Sequence, residues 1–383
     1  MNFLLNFIFF YFLFYVLYYL FFSLCSRLIK RTKFKTSDKI GSFAVLIPAY
    51  KEDQIIFDTA KRNLEQSYPS DKFRIIVIAD SLQKETLDSL DKIDVTTVKV
   101  KFEKSSKAKA INAVIKDLND DFDFVIILDA DNVMASNCLT LMNDYLQSGH
   151  IAIQGHRTAK NRNNSLAVLD SISEEINNSI FRKGPVNVGL SSSLIGSGMA
   201  FEYNFYKKII KNVEDIWEDR ELEFRILKRG IKIEYLENAL IFDEKVTDKN
   251  VIKNQRSKWI AGQIHYFKKY IFSTWKFVLK GNVDLLNKII QTISPPRALM
   301  LGGLFILLTL SFIINLSIPF IFWAMLFTLY IVSLFIAIPP NLVNKQLWKA
   351  SLHLPITIIL MFLGLFKSIF SKNVNFNTPH VEK

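Results

Sequence analysis

The chain is poor in the residues that build metal cages and cross-links. Its 383 residues include only two cysteines and five histidines. Cys25 falls in an apolar terminus and Cys138 in the polar middle, which excludes a disulfide framework and suits a reducing compartment for the middle. The histidines are scattered without metal-ligand spacing, which excludes a zinc-finger design. No Gly-rich Rossmann or P-loop fingerprint follows any predicted strand. That argues against dinucleotide binding and nucleoside-triphosphate hydrolysis. Internal repeats and low-complexity linkers are missing too. Charge is absent from two long stretches, residues 1–26 and 298–344.

What is present falls into two regimes. Half of the residues are hydrophobic and mean hydropathy is +0.19, alongside 22% charged residues. The uncharged residues 1–26 are long enough for one bilayer crossing, which takes about 20 apolar residues. They lack the basic start and small-residue cleavage site of a signal peptide. Arg27, Lys30, Arg31, Lys33 and Lys35 follow, and a basic flank of this kind stays in the cytoplasm. The run 298–344 is long enough to cross twice, with a turn at 315–319. A third apolar stretch, 350–366, contains His353 and Pro355. It is read as spanning, re-entrant or interfacial. The net charge is +12 and the pI about 9.4. The basic clusters adjoin apolar segments, which fits a cytoplasmic membrane face and an anionic substrate better than nucleic acid. No nucleic-acid module is evident.

Between the apolar ends, short β-rich runs alternate with helical patterns. Residues 43–47, 73–79, 95–100 and 124–128 read as buried strands. Residues 52–66, 84–91 and 107–118 read as helices between them. This alternation predicts an α/β fold with a mostly parallel sheet. Ligands in such sheets bind beyond the carboxyl ends of the strands. There stand Pro48-Ala49-Tyr50-Lys51-Glu52, Asp80 and Asp129-Ala130-Asp131-Asn132. Further on, 164–183 reads as helix, 184–198 as a loop over the site, 218–229 as helix and 231–236 as strand. From 254 to about 280 aromatics alternate with lysines. That pattern fits helices on a membrane surface, rings inward and amines outward.

Three elements carry candidate chemistry. Asp129 and Asp131 place two carboxylates on one turn, and hard divalent cations favour such oxygens together with substrate phosphates. Taken alone, the pair is an ordinary solvated turn. Glu218 and Asp219 follow Trp217 at the start of a predicted helix. They read as helix-terminus acids or as a general base that deprotonates a hydroxyl. Gln255-Arg256-Ser257-Lys258-Trp259 reads as a membrane-surface helix or as a contact to a leaving diphosphate.

The order of these pieces resembles the family 2 glycosyltransferases. The resemblance is strongest to the membrane-integrated branch that includes cellulose, hyaluronan and poly-N-acetylglucosamine synthases. It covers roughly residues 40–265. Pro48-Ala49-Tyr50-Lys51-Glu52 resembles the opening Pro-Ala-Tyr-Asn-Glu, with Lys51 in place of Asn. Asp80 matches the acid after the second strand, and Lys107-Ala108-Lys109-Ala110-Ile111-Asn112 the Lys-Ala-x-Ala-Leu-Asn element. Asp129-Ala130-Asp131 matches the metal motif, Gly196-Ser197-Gly198-Met199 the Gly-rich loop, and Glu218-Asp219 the Thr-Glu-Asp element. Gln255-x-x-Lys258-Trp259 is similar to Gln-x-x-Arg-Trp. Here Lys258 keeps the charge but loses the fork that grips phosphate bidentately. Residues 376–380 resemble the family's tail element.

The resemblance implies an A-type glycosyltransferase domain flanked by N- and C-terminal transmembrane helices. The expected organisation is a transmembrane helix at 1–26, a cytoplasmic catalytic domain at 40–245 and interfacial helices at 246–296. A membrane region of two or three helices at 297–372 and a tail at 373–383 complete it. It further implies inverting transfer from a nucleotide sugar, a UDP-sugar by preference, with a divalent cation, Mg or Mn. Pro48, Ala49, Tyr50, Glu52, Asp80, Lys107 and Asp129 would bind the nucleotide sugar. Asp131 with Asp129 would hold the metal. Asp219, with Glu218 beside it, would do the proton chemistry. Gly198, Gln255, Arg256, Lys258 and Trp259 would border the acceptor and diphosphate. The acceptor would be a lipid, a lipid-linked glycan or a polysaccharide, with a processive, exporting synthase as the alternative. A nucleotidyltransferase would need a Gly-rich basic loop where Pro48-Ala49-Tyr50 stands. A transporter component would be favoured by charges within the spans, and 298–344 has none. Abundant Phe, Ile, Asn and Lys hint at an A+T-rich bacterial genome, and the expected location is the plasma (inner) membrane with the catalytic domain cytoplasmic.

Overall fold

The computed structural model describes residues 2–30, 36–118, 122–245, 249–314, 316–356, 358, 359 and 362, with backbone alone for 249–258. Eight strands form one mixed sheet: β1 (Phe43–Tyr50), β2 (Phe73–Asp80), β3 (Thr96–Val100), β4 (Phe124–Ile127), β5 (Val133–Met134), β6 (Ala152–Ala159), β7 (Met199–Glu202) and β8 (Ile233–Asp243). Their order is β3-β2-β1-β4-β7-β6-β8-β5. β3, β2, β1 and β4 run parallel, as does the β6–β8 pair, while β7 and β5 pair antiparallel. Parallel neighbours need crossovers, and the helices Ile56–Asn63, Lys84–Leu90 and Lys107–Asp117 supply them.

The five strands expected from sequence are all present, as β1, β2, β3, β4 and β8. Their periodicity is that of strands covered on both faces: Val45, Leu46, Ile47, Ile75, Ile76 and Val77 are all fully buried. Pro48 sits near the end of a central strand without breaking it. β4 pairs with β1 only as far as Leu46, so the N–H that proline lacks is not needed on that side. Strands β5, β6 and β7 were not expected. The helix read over 164–183 runs as Ser165–Asn177, then a π-helical turn Asn178–Lys183, and continues through Gly184–Asn187 into the segment read as loop. Strand β8 extends to Asp243, well beyond the expected 231–236.

Asn2–Leu28 and Phe320–Ala337 are helices long and apolar enough to cross a membrane. They run side by side in the same direction. Phe9 meets Trp323 at 5.2 Å near their starts. At their ends Arg27 donates from Nε to the carbonyl of Ile336 at 2.8 Å and from Nη2 to that of Ala337 at 3.1 Å. Arg297–Ile313 has 17 residues and follows Val283–Ile293 through a 61° bend. It leads the chain to the start of Phe320–Ala337, so the run 298–344 holds two apolar helices, as expected. Ser179 Oγ donates to the Ala337 carbonyl at 2.6 Å, which brings that end back to the α/β domain. Lys345–Ser351 then packs on Ser165–Asn177. Most of 357–372 and all of the tail 373–383 fall outside the described residues.

Tyrosines at helical spacing mark the first helix as a docking post. Tyr11, Tyr15 and Tyr18 donate to the Ile293 carbonyl, the Ile290 carbonyl and Asn287 Oδ1 at 3.0, 2.9 and 2.7 Å. The amphipathic helix Val283–Ile293 therefore lies along Asn2–Leu28 rather than apart from it.

Candidate active site

Three parallel strands bring their carboxyl ends to one edge. β1 and β2 are in register, with Tyr50 opposite Asp80. The chain leaves both strands in left-handed backbone, with φ 57° at Lys51 and 58° at Ser81. The Lys51 N–H donates to the Asp80 carbonyl at 3.1 Å. Asp80 itself is buried, and its Oδ1 accepts from Ser81 Oγ at 3.0 Å. Non-glycine residues with positive φ are strained, and such strain gathers at functional edges. Asparagine tolerates this conformation best, which gives a physical reason for the Asn usual in the motif where Lys51 stands. Ala49 is buried, Pro48 and Glu52 are half-buried, and Tyr50 is exposed.

The acidic turn after β4 is built on the neighbouring loop. The Asp129 N–H donates to Ser197 Oγ at 3.0 Å, and the Asn132 N–H to the Asp129 carbonyl at 3.1 Å. Lys107 opens the helix Lys107–Asp117, which is capped by Ser106. Its ammonium donates to Asp129 Oδ1 at 2.5 Å and to the Gly196 carbonyl at 2.7 Å, and lies 3.3 Å from Glu218 Oε1. Burial alone would lower the Lys107 pKa, but the charges of Asp129 and Glu218 outweigh it and raise it above the ordinary lysine range.

Glu218 and Asp219 begin the helix Glu218–Leu227. Glu218 is buried, and burial pushes its pKa up to about 7; Lys107 pulls it down, while Asp219 and Asp129 push it further up. Asp219 is half-buried and accepts from the Arg220 N–H at 2.8 Å. Gly196, at φ +83°, marks where these groups meet. A Cβ there would lie 3.7 Å from Lys107 Nζ, 3.8 Å from Asp219 Oδ2 and 3.9 Å from Glu218 Oε1. Gly198 has a different job. Its N–H bonds to Ile127 and its carbonyl accepts from Gly155, stitching β4 to β6, and a Cβ would strike Ile241 at 2.6 Å.

Sequence reasoning missed the groups behind the turn. Asn132 Nδ2 donates to Asp243 Oδ1 at 3.3 Å. Asp243 Oδ2 accepts from Lys245 at 2.6 Å and lies 3.8 Å from Arg157 Nε. Arg157 and Arg182 both bind Glu174, at 3.0 and 3.1 Å. Burial alone would raise the Glu174 pKa, but the two guanidiniums hold it well below the carboxylate range. Arg157 sits on β6, a strand absent from the sequence reading, so no signal placed it here.

Gln255, Arg256 and Lys258 lie on the helix Lys249–Tyr270, and their side chains lie outside the described residues. Trp259 is half-buried. The aromatics that follow correct the expectation of rings turned to a membrane. Tyr266 donates to Asp215 Oδ2 at 2.9 Å, Tyr270 donates to Glu221 Oε2 at 2.6 Å, and Tyr270 stacks on Phe224 at 4.1 Å. Acids for the hydroxyls and a ring for stacking draw this face onto the α/β domain. Phe272, Trp275 and Leu279 remain exposed.

Among the described residues no three His, Cys, Asp or Glu side chains form a ready-made metal cage. The donor set fits a divalent cation that is shared with a ligand. Asp129 and Asp131 offer hard oxygens on one turn, and Mg²⁺ is commonly held by one or two carboxylates plus substrate phosphates.

A strand-edge acidic turn, a helix that opens on Lys107 and a second acidic pair on an eight-stranded mixed sheet define an A-type glycosyltransferase fold. Residues 41–262 match the model of the glycosyltransferase like family 2, and the chain belongs to that family. It is 23% identical over 322 residues to the probable glycosyltransferase YdaM of Bacillus subtilis, covering 79% of this chain and 76% of that protein. It is also 23% identical to the beta-monoglucosyldiacylglycerol synthase of Nostoc, over 63% of this chain. There it spans about half of the relative's length, 52%. A mannosyltransferase of Pyrobaculum calidifontis, solved in complex with GDP-Man and Mn²⁺, shares the fold. The TM-score is 0.56 at 14% identity, over 94% of this chain and 95% of that one.

Proposed function

We propose that the protein is a membrane-anchored, inverting glycosyltransferase that moves a sugar from a nucleotide sugar, a UDP-sugar by preference, to a lipid or lipid-linked glycan at the cytoplasmic face. The observation that carries this reading is the convergence of Lys107, Asp129, Glu218 and Asp219 around Gly196. The site offers charge for a diphosphate on one side and a carboxylate for a hydroxyl on the other.

Asp80 would take the nucleobase, with Pro48, Ala49, Tyr50 and Glu52 framing the nucleotide along the β1 edge. Asp131 and Asp129 would hold a divalent ion, which when bound neutralises the diphosphate. Lys107 would stand beside the phosphates. Asp219 would accept the proton of the acceptor hydroxyl as its oxygen forms a bond to the anomeric carbon. The bond from the anomeric carbon to the diphosphate breaks on the opposite face as the new bond forms, so the nucleoside diphosphate leaves with the electron pair and the sugar remains on the acceptor with inverted configuration. Glu218, drawn toward Lys107, would balance charge rather than move the proton. Gln255, Arg256, Lys258 and Trp259 would border the leaving diphosphate and acceptor.

The glucolipid synthase named among the relatives supports a lipid acceptor. Two helices long and apolar enough to cross a membrane, the first followed by a basic flank, support anchoring in a bacterial inner membrane. A donor screen by thermal shift tests the reading, because ligand that binds the folded state raises its Tm. A shift with one nucleotide sugar, larger with Mn²⁺ or Mg²⁺, is expected; no shift with any would refute it. Product length then separates single addition from a processive synthase, which would give a ladder.

A further inference from the structure

Two turns beyond Gln255, the helix Lys249–Tyr270 carries a glycine in its interior. Glycine there costs about 1 kcal/mol relative to alanine, so a local reason is required. Trp217 supplies it. A Cβ on Gly262 would lie 2.8 Å from Trp217 Nε1, 2.9 Å from Cε2 and 3.1 Å from Cδ1. The indole is pressed against the bare backbone of the helix. One turn further, Tyr266 Oη donates to Asp215 Oδ2 at 2.9 Å and to the Trp217 carbonyl at 3.2 Å. Its ring meets the indole edge-on at 6.4 Å, and His265 flanks the indole at 5.6 Å.

Trp217 directly precedes Glu218 and Asp219. No side chain caps the start of their helix. The first turn of Glu218–Leu227 is held at Glu218 by Lys107 and at Glu221 by Lys269 and Tyr270, and its entry is set by what grips Trp217, on its ring and on its carbonyl. Gln255, Lys258 or Trp259, Gly262 and Tyr266 follow one another at helical spacing, so one helix stripe carries both the Gln-x-x-Lys-Trp element and the grip on Trp217.

We infer that Gly262 and Tyr266 are positioning residues that set Asp219 through Trp217, tying the placement of the acidic pair to the helix that bears the Gln-x-x-Lys-Trp element. The inference rests on Asp219 acting as the base. A methyl group on Gly262 must push the indole away, and Asp219 moves with it. Displacement by about 1 Å can cost about 100-fold in rate.

The test compares native protein, Gly262→Ala, Trp217→Leu and the double variant, measuring kcat, donor KM and Tm, with Asp219→Asn alongside. Gly262→Ala is expected to lower kcat about 10–100-fold with donor KM within about twofold. In the Trp217→Leu background, where the ring is gone, the same change should cost less than about twofold, as coupled neighbours require. Tyr266→Phe, which removes only the hydroxyl, should lower kcat while donor KM holds, and it serves if Gly262→Ala does not fold. Unchanged kcat in Gly262→Ala or Tyr266→Phe at native Tm overturns the inference, as does an equal cost of Gly262→Ala with and without the Trp217 ring. If Asp219→Asn remains active, it is the assignment of the base that fails, and the two failures are distinct.

Discussion

Lys107 Nζ lies 2.5 Å from Asp129 Oδ1 and 3.3 Å from Glu218 Oε1, so one ammonium joins the acidic turn after β4 to the acidic pair that opens Glu218–Leu227. Two parts of the site more than eighty residues apart are tied by a single charge. Removing it leaves a buried carboxylate, Glu218, and a partly exposed one, Asp129, without the cation they share. Lys107→Met should weaken nucleotide-sugar binding at least about tenfold, consistent with loss of a charged hydrogen bond of about 1.5–3 kcal/mol. Titration calorimetry with the donor found by screening would show it; unchanged affinity would remove Lys107 from the donor site.

Glu218 gives a pH signature of its own. Its pKa rises from about 4.3 in an unfolded chain to about 7 in the fold. Between those values the folded protein holds a proton that the unfolded chain has released. Folding stability from this group is therefore full below the lower value and falls as pH rises to the upper one. Glu218→Gln should flatten the decline of stability between about pH 4.3 and 7. Denaturant melts across that range, without donor or divalent ion, would reveal it. A slope equal to that of the native protein would contradict the assigned burial.

Lys51 holds φ 57° at the end of β1. Lysine gains nothing from this conformation, and asparagine adopts it more readily. Lys51→Asn should stabilise the protein by about 0.5–1 kcal/mol. Thermal unfolding would show a rise of about one or two degrees; a fall would mean that the Lys51 side chain contributes more than the backbone loses.

The buried pair of Glu223 and Lys288, 2.6 Å apart, joins the acidic helix to the amphipathic helix that docks on Asn2–Leu28. Lys288→Met strands a buried carboxylate and should cost about 3–5 kcal/mol. Adding Glu223→Leu removes the stranded charge and should return most of that loss. A double variant no more stable than Lys288→Met would show that the pair does more than balance charge.

Much of this was legible in sequence because local chemistry repeats structure. Strands covered on both faces read as unbroken apolar runs, so β1, β2 and β4 and the edge they share could be placed. Asp80, Lys107, Asp129 and Asp219 could be placed with them, since each follows a strand or begins a helix. The strands β6 and β7 could not, because their burial is set by pairing with distant segments, parallel for β6 with β8 and antiparallel for β7 with β4 and β6. Arg157 and Asp243 were lost with that part of the sheet. The tyrosines of Lys249–Tyr270 share a pattern with membrane-surface helices, and only the positions of Asp215 and Glu221 reveal which surface they face. Gly262 carried no signal of its own, since a lone glycine in a helix does not name its neighbour.

The central claim is that Asp219 deprotonates the acceptor while Lys107 and the turn Asp129-Ala130-Asp131 hold the donor. Sugar transfer to membrane lipid tests it most directly. Purified protein in liposomes, with the radiolabelled nucleotide sugar found by screening, would be compared with Asp219→Asn. The native protein should transfer sugar only with Mn²⁺ or Mg²⁺. Asp219→Asn should bind the donor normally and lose at least about 100-fold in transfer, as removal of a general base commonly does. Undiminished transfer by Asp219→Asn would contradict the account.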